Sequence, residues 1–186
     1  PFKVMKTSIK PHACCRYKQG PIDGILEIMH QNNLNPSDVE EVKLGILKAG
    51  FPIVAQPEES KYNPKSIVDA QFSMPFGAAV AILRGRATLE EYTLEHMMSS
   101  EIKQMMERIH CVEDPELERH YPKKWPASVH LTTKGGQQYH IKIEFPRGDP
   151  ENPFTWDELI HKFKSLIAPV FSDERGAAII SYVRGI

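Results

Sequence analysis

The chain has 186 residues, of which 41% are hydrophobic and 25% charged, enough for one sizeable core or a core with an appendage. Its formal net charge of −1 gives no global electrostatic attraction to nucleic acid or to an anionic membrane. No apolar run approaches the roughly 20 residues that span a bilayer, and the opening Pro1–Lys10 lacks the apolar centre of a signal peptide. Three cysteines, two of them adjacent, suit a reducing cytoplasm rather than a disulfide framework. No Cys-x-x-Cys or His-x-x-x-His spacing indicates a metal, and no motif indicates a cofactor.

The chain opens on Pro1 and runs directly into a strand-like phrase, Lys3–Ile9, as a piece cut from a longer polypeptide would. Pro11 biases Lys10 toward extended backbone, which predicts a turn over residues 10–17. Ile22, Ile25, Leu26 and Met29 recur at helical spacing, so a helix is expected from about Pro21 to Gln31. After a turn at Asn35-Pro36-Ser37-Asp38, Val42, Leu44 and Ile46 alternate as in a strand. Residues 50–64, with prolines and charges, read as a long loop and a candidate flap.

From Ser66 the pattern is helical, with Pro75 in a first turn, Ser73 placed to cap it and Gly85 as a stop. Thr88–Tyr92 reads as a short helix, and Met98, Ile102, Met105, Met106 and Ile109 as a core-facing stripe. His110–Val112 is a short strand candidate, and residues 114–126 a charged loop. Val129, Leu131 and Thr133, then Gly135-Gly136, then Tyr139, Ile141, Ile143 and Phe145 predict a hairpin. Thr155-Trp156-Asp157-Glu158 is a capping box that opens a helix, and Ser172 caps the last one. Four or five strands and five or six helices with hairpin connections predict an α+β fold: a largely antiparallel sheet with helices packed on one face, plus a C-terminal helical appendage.

The chemistry concentrates in Lys10-Pro11-His12-Ala13-Cys14-Cys15-Arg16-Tyr17. Lys10 and Arg16 on one turn suit a di- or tricarboxylate, or are two solvated surface cations. Histidine is the side chain suited to moving a proton near neutral pH, and His12 is a candidate for that role. Cys15 is a candidate nucleophile beside His12, or a buried structural cysteine.

This segment, with Ile22-Asp23 after it, resembles the lysine–proline–x–x–cysteine–cysteine–arginine–tyrosine segment of the MmgE/PrpD (2-methylcitrate dehydratase) family. Asp69-Ala70-Gln71-Phe72-Ser73-Met74-Pro75-Phe76 with the Ala-rich Gly77–Leu83, and Asn152-Pro153-Phe154-Thr155-Trp156-Asp157-Glu158-Leu159 with Lys162-Phe163, are two further matches in order. The resemblance implies that residues 1–146 are the α/β lid of such a protein. Residues 147–186 would be C-terminal helices that pack on a missing N-terminal helical domain. It also implies a homodimeric, metal-independent cytoplasmic lyase or isomerase that acts on small polycarboxylates: dehydration of 2-methylcitrate, decarboxylation of cis-aconitate or epimerisation of iminodisuccinate.

Position by position, Lys10 matches the family's lid lysine. Cys15 stands where the decarboxylases have histidine, Gln19 where many dehydratases have histidine, and Phe76 where several members have tyrosine. The expected catalytic set is therefore Lys10, His12 and Cys15, and the substrate-binding set Arg16, Gln19, Ser73 and Phe76, with no metal. A non-catalytic α/β ligand-binding or dimerisation module is the alternative from another class, carried by the apolar helix faces near Phe76 and Met105. A Cys15 thiol enzyme is a third reading.

Overall fold

The computed structural model describes residues 2–185; Pro1 and Ile186 lie outside the described residues. Nine α-helices and four strands are described, the helices α1 (Gln19–Gln31), α2 (Phe51–Val54), α3 (Glu58–Tyr62), α4 (Ile67–Gln71), α5 (Met74–Arg84), α6 (Leu94–Met98), α7 (Ser100–Met106), α8 (Trp156–Ile167) and α9 (Asp173–Arg184). The strands are β1 (Val39–Ile46), β2 (Ile109–Glu113), β3 (Ala127–Thr133) and β4 (Gln138–Ile143), in sheet order β2-β1-β3-β4.

The chain is α+β, with one departure from the expected sheet. β1 pairs with β3, and β3 with β4, in antiparallel fashion, but β1 and β2 are parallel, Val42 facing Ile109 and Leu44 facing Cys111. The parallel pair requires a crossover, and α2 to α7 occupy it. Two of these helices fall inside the stretch 50–64 that reads as a loop. Pro52 stands in the first turn of α2, where a missing N–H costs nothing, and Pro57 immediately precedes α3. Residues 3–9 are not a strand. A 3-10 turn covers Lys3–Lys6, and Ile9 is tied to the protein by its N–H donating to Gly148 O at 2.9 Å.

One face of the sheet is buried. Val42, Leu44, Val129 and Leu131 are fully covered, and α1 lies across them. Gly24 permits the close approach: a Cβ there would sit 2.7 Å from Val129 Cγ2. Behind α1, α5 is apolar all round and packs between α1, α7 and β2; Met74, Phe76, Ala78, Ala79 and Val80 are inaccessible to water. The expected stops and caps are present. Gly85 closes α5 at φ +67°, and the hydroxyl of Ser73 accepts the Phe76 N–H. Thr155 and Glu158 cap α8 reciprocally.

The opposite face is open and polar. One cross-strand row carries His110, Lys43, His130 and His140, from β2, β1, β3 and β4 respectively. The His130 and His140 rings stack at 4.0 Å between centroids. Burial first and His140 second hold His130 below its ordinary value of 6.5, partly opposed by Asp114, with Lys43 adding a lesser push in the same downward direction. A folded state that binds this proton less readily than the unfolded chain loses stability as pH falls through and below about 6.5. Wild type should therefore lose about a degree or two more of melting temperature between pH 7 and pH 5 than His130→Gln. Parallel melting curves for the two proteins would contradict this account.

Candidate functional site

The turn after Pro11 is built around one side chain. Gln19, at the start of α1, is buried, and its Oε1 accepts the His12 N–H at 3.0 Å. Its Nε2 donates to Cys14 O at 3.1 Å, Cys15 O at 3.2 Å and His12 O at 3.3 Å. A loop turned inward leaves backbone groups that need partners, and one carboxamide supplies both a donor and an acceptor for them. The turn is also bonded to the second matching segment: Cys15 N–H donates to Gln71 O at 3.1 Å, and Gln71 Nε2 donates to Ala13 O at 2.9 Å. Ala13 N–H donates to Ala87 O.

One charged pair and one shared carboxylate fasten the turn to the loop over residues 145–152. Asp149 accepts from Arg16 Nη2 through both carboxylate oxygens, at 2.6 and 2.7 Å, and the guanidinium lies 5.4 Å from the Trp125 ring centroid. Asp23 Oδ1 pairs with His12 Nε2 at 2.9 Å, while Asp23 Oδ2 accepts the Arg147 N–H at 2.7 Å. Because Asp23 accepts, the His12 Nε2 carries hydrogen. Gly148, at φ +88°, allows the Ile9 segment to pass; a Cβ there would lie on the Ile9 carbonyl.

The expected site residues thus divide. Lys10 is exposed, its Nζ donating to Cys14 O at 3.0 Å. His12 is buried and oriented by Asp23; Cys15 is half-buried against the core. Arg16 is already held by Asp149, so it braces the turn. Gln19 uses its polar atoms on the turn, and Phe76 lies fully inside the core, 5.6 Å from the Tyr92 ring. Neither presents an atom to a ligand; both support the turn from beneath. Ser73 caps α5 and donates to Lys61 O, again without exposed surface. The structure brings Lys10, His12, Cys15, Arg16 and Gln19 together on one turn, with Ser73 and Phe76 one layer below.

That layer contains a residue the sequence did not single out. Lys18 is 0% exposed; its Nζ donates to Ala70 O at 2.9 Å and lies 3.3 Å from Tyr92 Oη. Burial, opposed by Cys14 and Cys15, pulls the ammonium down to about 8. The same burial pushes the Cys14 thiol and the Tyr92 phenol up. Cys111, in a separate hollow with Phe51 and Tyr62, is pushed up to about 12 by burial, which removes the thiolate at neutral pH. Among the described residues, no group of three or more His, Cys, Asp or Glu side chains is placed to hold a metal ion.

Beside the turn lies a cleft of about 620 Å³. It is lined by Pro11 and Ala13 of the turn, by Arg86, Thr88, Leu89 and Glu90, and by Phe154, Glu158, His161, Lys162 and Ser165 at and before α8. The first and third matching segments therefore line one opening. The second backs the turn through Gln71. Glu158 is held well down, to about 2, chiefly by its hydrogen bonds from Arg147, and Glu90 and Glu91 are both paired with Arg86. No helix among the described residues is long and apolar enough to cross a membrane.

An α+β domain with a mixed four-stranded sheet, carrying a cationic turn whose Pro11 and Ala13 help line a cleft, is the class of structure defined here. The sequence profile of the MmgE/PrpD C-terminal domain matches residues 12–185, and the chain belongs to that family. Comparison with curated proteins finds no significant match.

Proposed function

We propose that this chain is the lid and C-terminal portion of a lyase that eliminates water from small polycarboxylates such as 2-methylcitrate. The observation that carries the reading is the convergence of two matching segments on one cleft, with the exposed Lys10 next in sequence to the cleft-lining Pro11. Elimination removes a proton from the carbon next to a carboxylate; the electron pair forms the double bond and the hydroxyl leaves as water. Negative charge grows on that carboxylate during proton removal. An ammonium already in place stabilises it more in the transition state than in the ground state.

In this reading Lys10 binds the carboxylate, and His12, oriented by Asp23, assists proton movement. Arg16 and Gln19 fix the turn; Ser73 and Phe76 shape its underside. Cys15, half-buried at the turn, completes the catalytic set. Residues 1–146 act as a lid, and residues 147–186 pack on a helical domain beyond this sequence, which supplies the remaining groups in a cytoplasmic homodimer. Closing the lid excludes water and strengthens every charge contact. Decarboxylation of cis-aconitate or epimerisation of iminodisuccinate uses the same carbanion-stabilising charge and is the alternative within the family.

A second reading, a non-catalytic docking module, draws on α8 and α9. Trp156, Leu159, Phe163, Ile180 and Val183 line an open apolar groove between them. The deciding experiment incubates the full-length protein with 2-methylcitrate, cis-aconitate and iminodisuccinate and follows products by proton NMR. Alkene formation from 2-methylcitrate is expected. Complete inertness toward all three compounds would overturn the enzymatic reading and favour the docking module.

A further inference from the structure

The open face of the sheet, on the side away from α1, carries a pair of groups that the lyase reading does not use. His130 on β3 and His140 on β4 stand directly opposite each other. The Thr133 N–H donates to Gln137 O at 2.9 Å, so residues 133 and 137 are a hydrogen-bonded pair of the hairpin. Antiparallel pairs alternate: 131 with 139 is of the same kind, and 130 with 140 is of the other, non-hydrogen-bonded kind. In that kind the Cα atoms lie closest, roughly 4.5 Å apart, and the side chains rise together. Both histidines are exposed, and their rings lie side by side, 4.0 Å between centroids and 23° between planes.

A neutral imidazole has one nitrogen lone pair to give. With metal–nitrogen bonds of 2.0–2.1 Å, two such nitrogens on one tetrahedral ion sit about 3.3 Å apart. The ring separation is within a small side-chain tilt of that spacing, and the register already fixes both Cβ positions. The surrounding charges nearly balance. Lys43, next to His130 in the row, is drawn to Glu41 at 3.3 Å, and Lys142 follows His140 on the same face of β4. Against them stand Glu41 and Asp114, the latter held by the Ser128 hydroxyl at 2.8 Å and close enough to be felt at His130. His110 lies 3.7 Å from Glu41, whereas His130 and His140 have no ion-pair partner among the described residues. His130, held below its ordinary value chiefly by burial, is neutral at pH 7, the form that binds metal.

We propose that His130 and His140 form a two-histidine site for a borderline divalent transition-metal ion, with water in its remaining positions. Imidazole suits nickel, copper and zinc, whereas magnesium and calcium require oxygen ligands. β4 is an edge strand and pairs only with β3. An ion joined to both strands fastens that edge and, by binding the folded state alone, raises its stability. The site lies apart from the cleft, and its test does not draw on the lyase reading.

The test is calorimetric titration of the full-length protein, freed of metal with EDTA and dialysed, with NiCl2 at pH 7. Nickel is the probe because the free thiols compete more strongly for zinc. Far-ultraviolet circular dichroism checks that each variant is folded. His130→Gln and His140→Gln are each expected to weaken nickel binding by about 10-fold or more and to remove the rise in melting temperature that nickel gives wild type. His110→Gln, in the same row but beyond Lys43, is expected to cost less than about 2-fold. Equal losses in all three variants would mean a diffuse field rather than a site and would overturn the proposal. Wild-type affinity in either His130→Gln or His140→Gln, no nickel binding by wild type, or displacement of nickel by an equal concentration of MgCl2 would also overturn it.

Discussion

Alanine in place of Lys10 will lower turnover of the full-length enzyme about a hundredfold or more while leaving the protein folded. The size follows from the role proposed for it: removing one preorganised group that meets developing negative charge costs about 10²–10³ in rate. The survival of the fold follows from the surroundings. Lys10 is exposed, and its one hydrogen bond among the described residues goes to Cys14 O, which Gln19 Nε2 also serves at 3.1 Å. Truncation thus strands no buried group, and melting temperature should stay within about 2 °C of wild type. Lys10→Arg keeps the charge but not its point-like geometry and should recover only part of the rate. Wild-type turnover by the alanine variant, measured on the same substrate, would remove Lys10 from the mechanism.

The opposite kind of effect is expected one layer down. Lys18→Met should stabilise the protein, on the order of 3 kcal/mol below pH 8. The ammonium sits without a carboxylate in a fully buried position, so the folded state binds its proton less tightly than the unfolded chain, about 8 against 10.5. Folding below pH 8 therefore carries the full cost of the buried charge. The cost fades as pH rises from about 8 to 10.5, because the unfolded chain still holds a proton that the folded protein has given up; wild-type stability rises across that window. Methionine fills a similar volume without the charge. The carbonyl it deserts, Ala70 O, still accepts the Ser73 N–H at 3.1 Å. Chemical denaturation at pH 7 and at pH 10.5 checks both halves: a gain at the lower pH that shrinks at the higher. A Lys18→Met variant less stable than wild type at pH 7 would show that the lysine's contacts to Ala70 and Tyr92 outweigh its burial.

What was legible in the sequence was local. The stripe Ile22, Ile25, Leu26, Met29 gives α1, and the capping residues Ser73, Thr155 and Ser172 mark the starts of α5, α8 and α9 because a cap acts within three residues. Gly135-Gly136 marks the hairpin because its turn needs positive φ, adopted by Gly136 at +82°. What escaped depends on distant partners. The parallel pairing of β1 with β2 joins strands separated by six helices, and no period in either strand announces its direction. Lys3–Ile9 has strand-like residues but no neighbour to pair with. Lys18 carries no local mark of its burial, and only the packing of α4, α5 and Tyr92 over it reveals it. Arg16 likewise looks available until Asp149, from the far end of the chain, arrives to hold it.

The fastening of the turn to the loop after β4 has a mechanical corollary. Arg16 with Asp149, and Asp23 with Arg147, lock the bend and that loop into one block. Arg147 in turn grips Glu158 in the first turn of α8, so the helix is pinned near its beginning. The two segments that line the cleft are thus joined at the Glu158 end like the arms of a clothes peg. Restraint on spreading is therefore strongest at Glu158 and falls off along α8 toward Lys162 and Lys164.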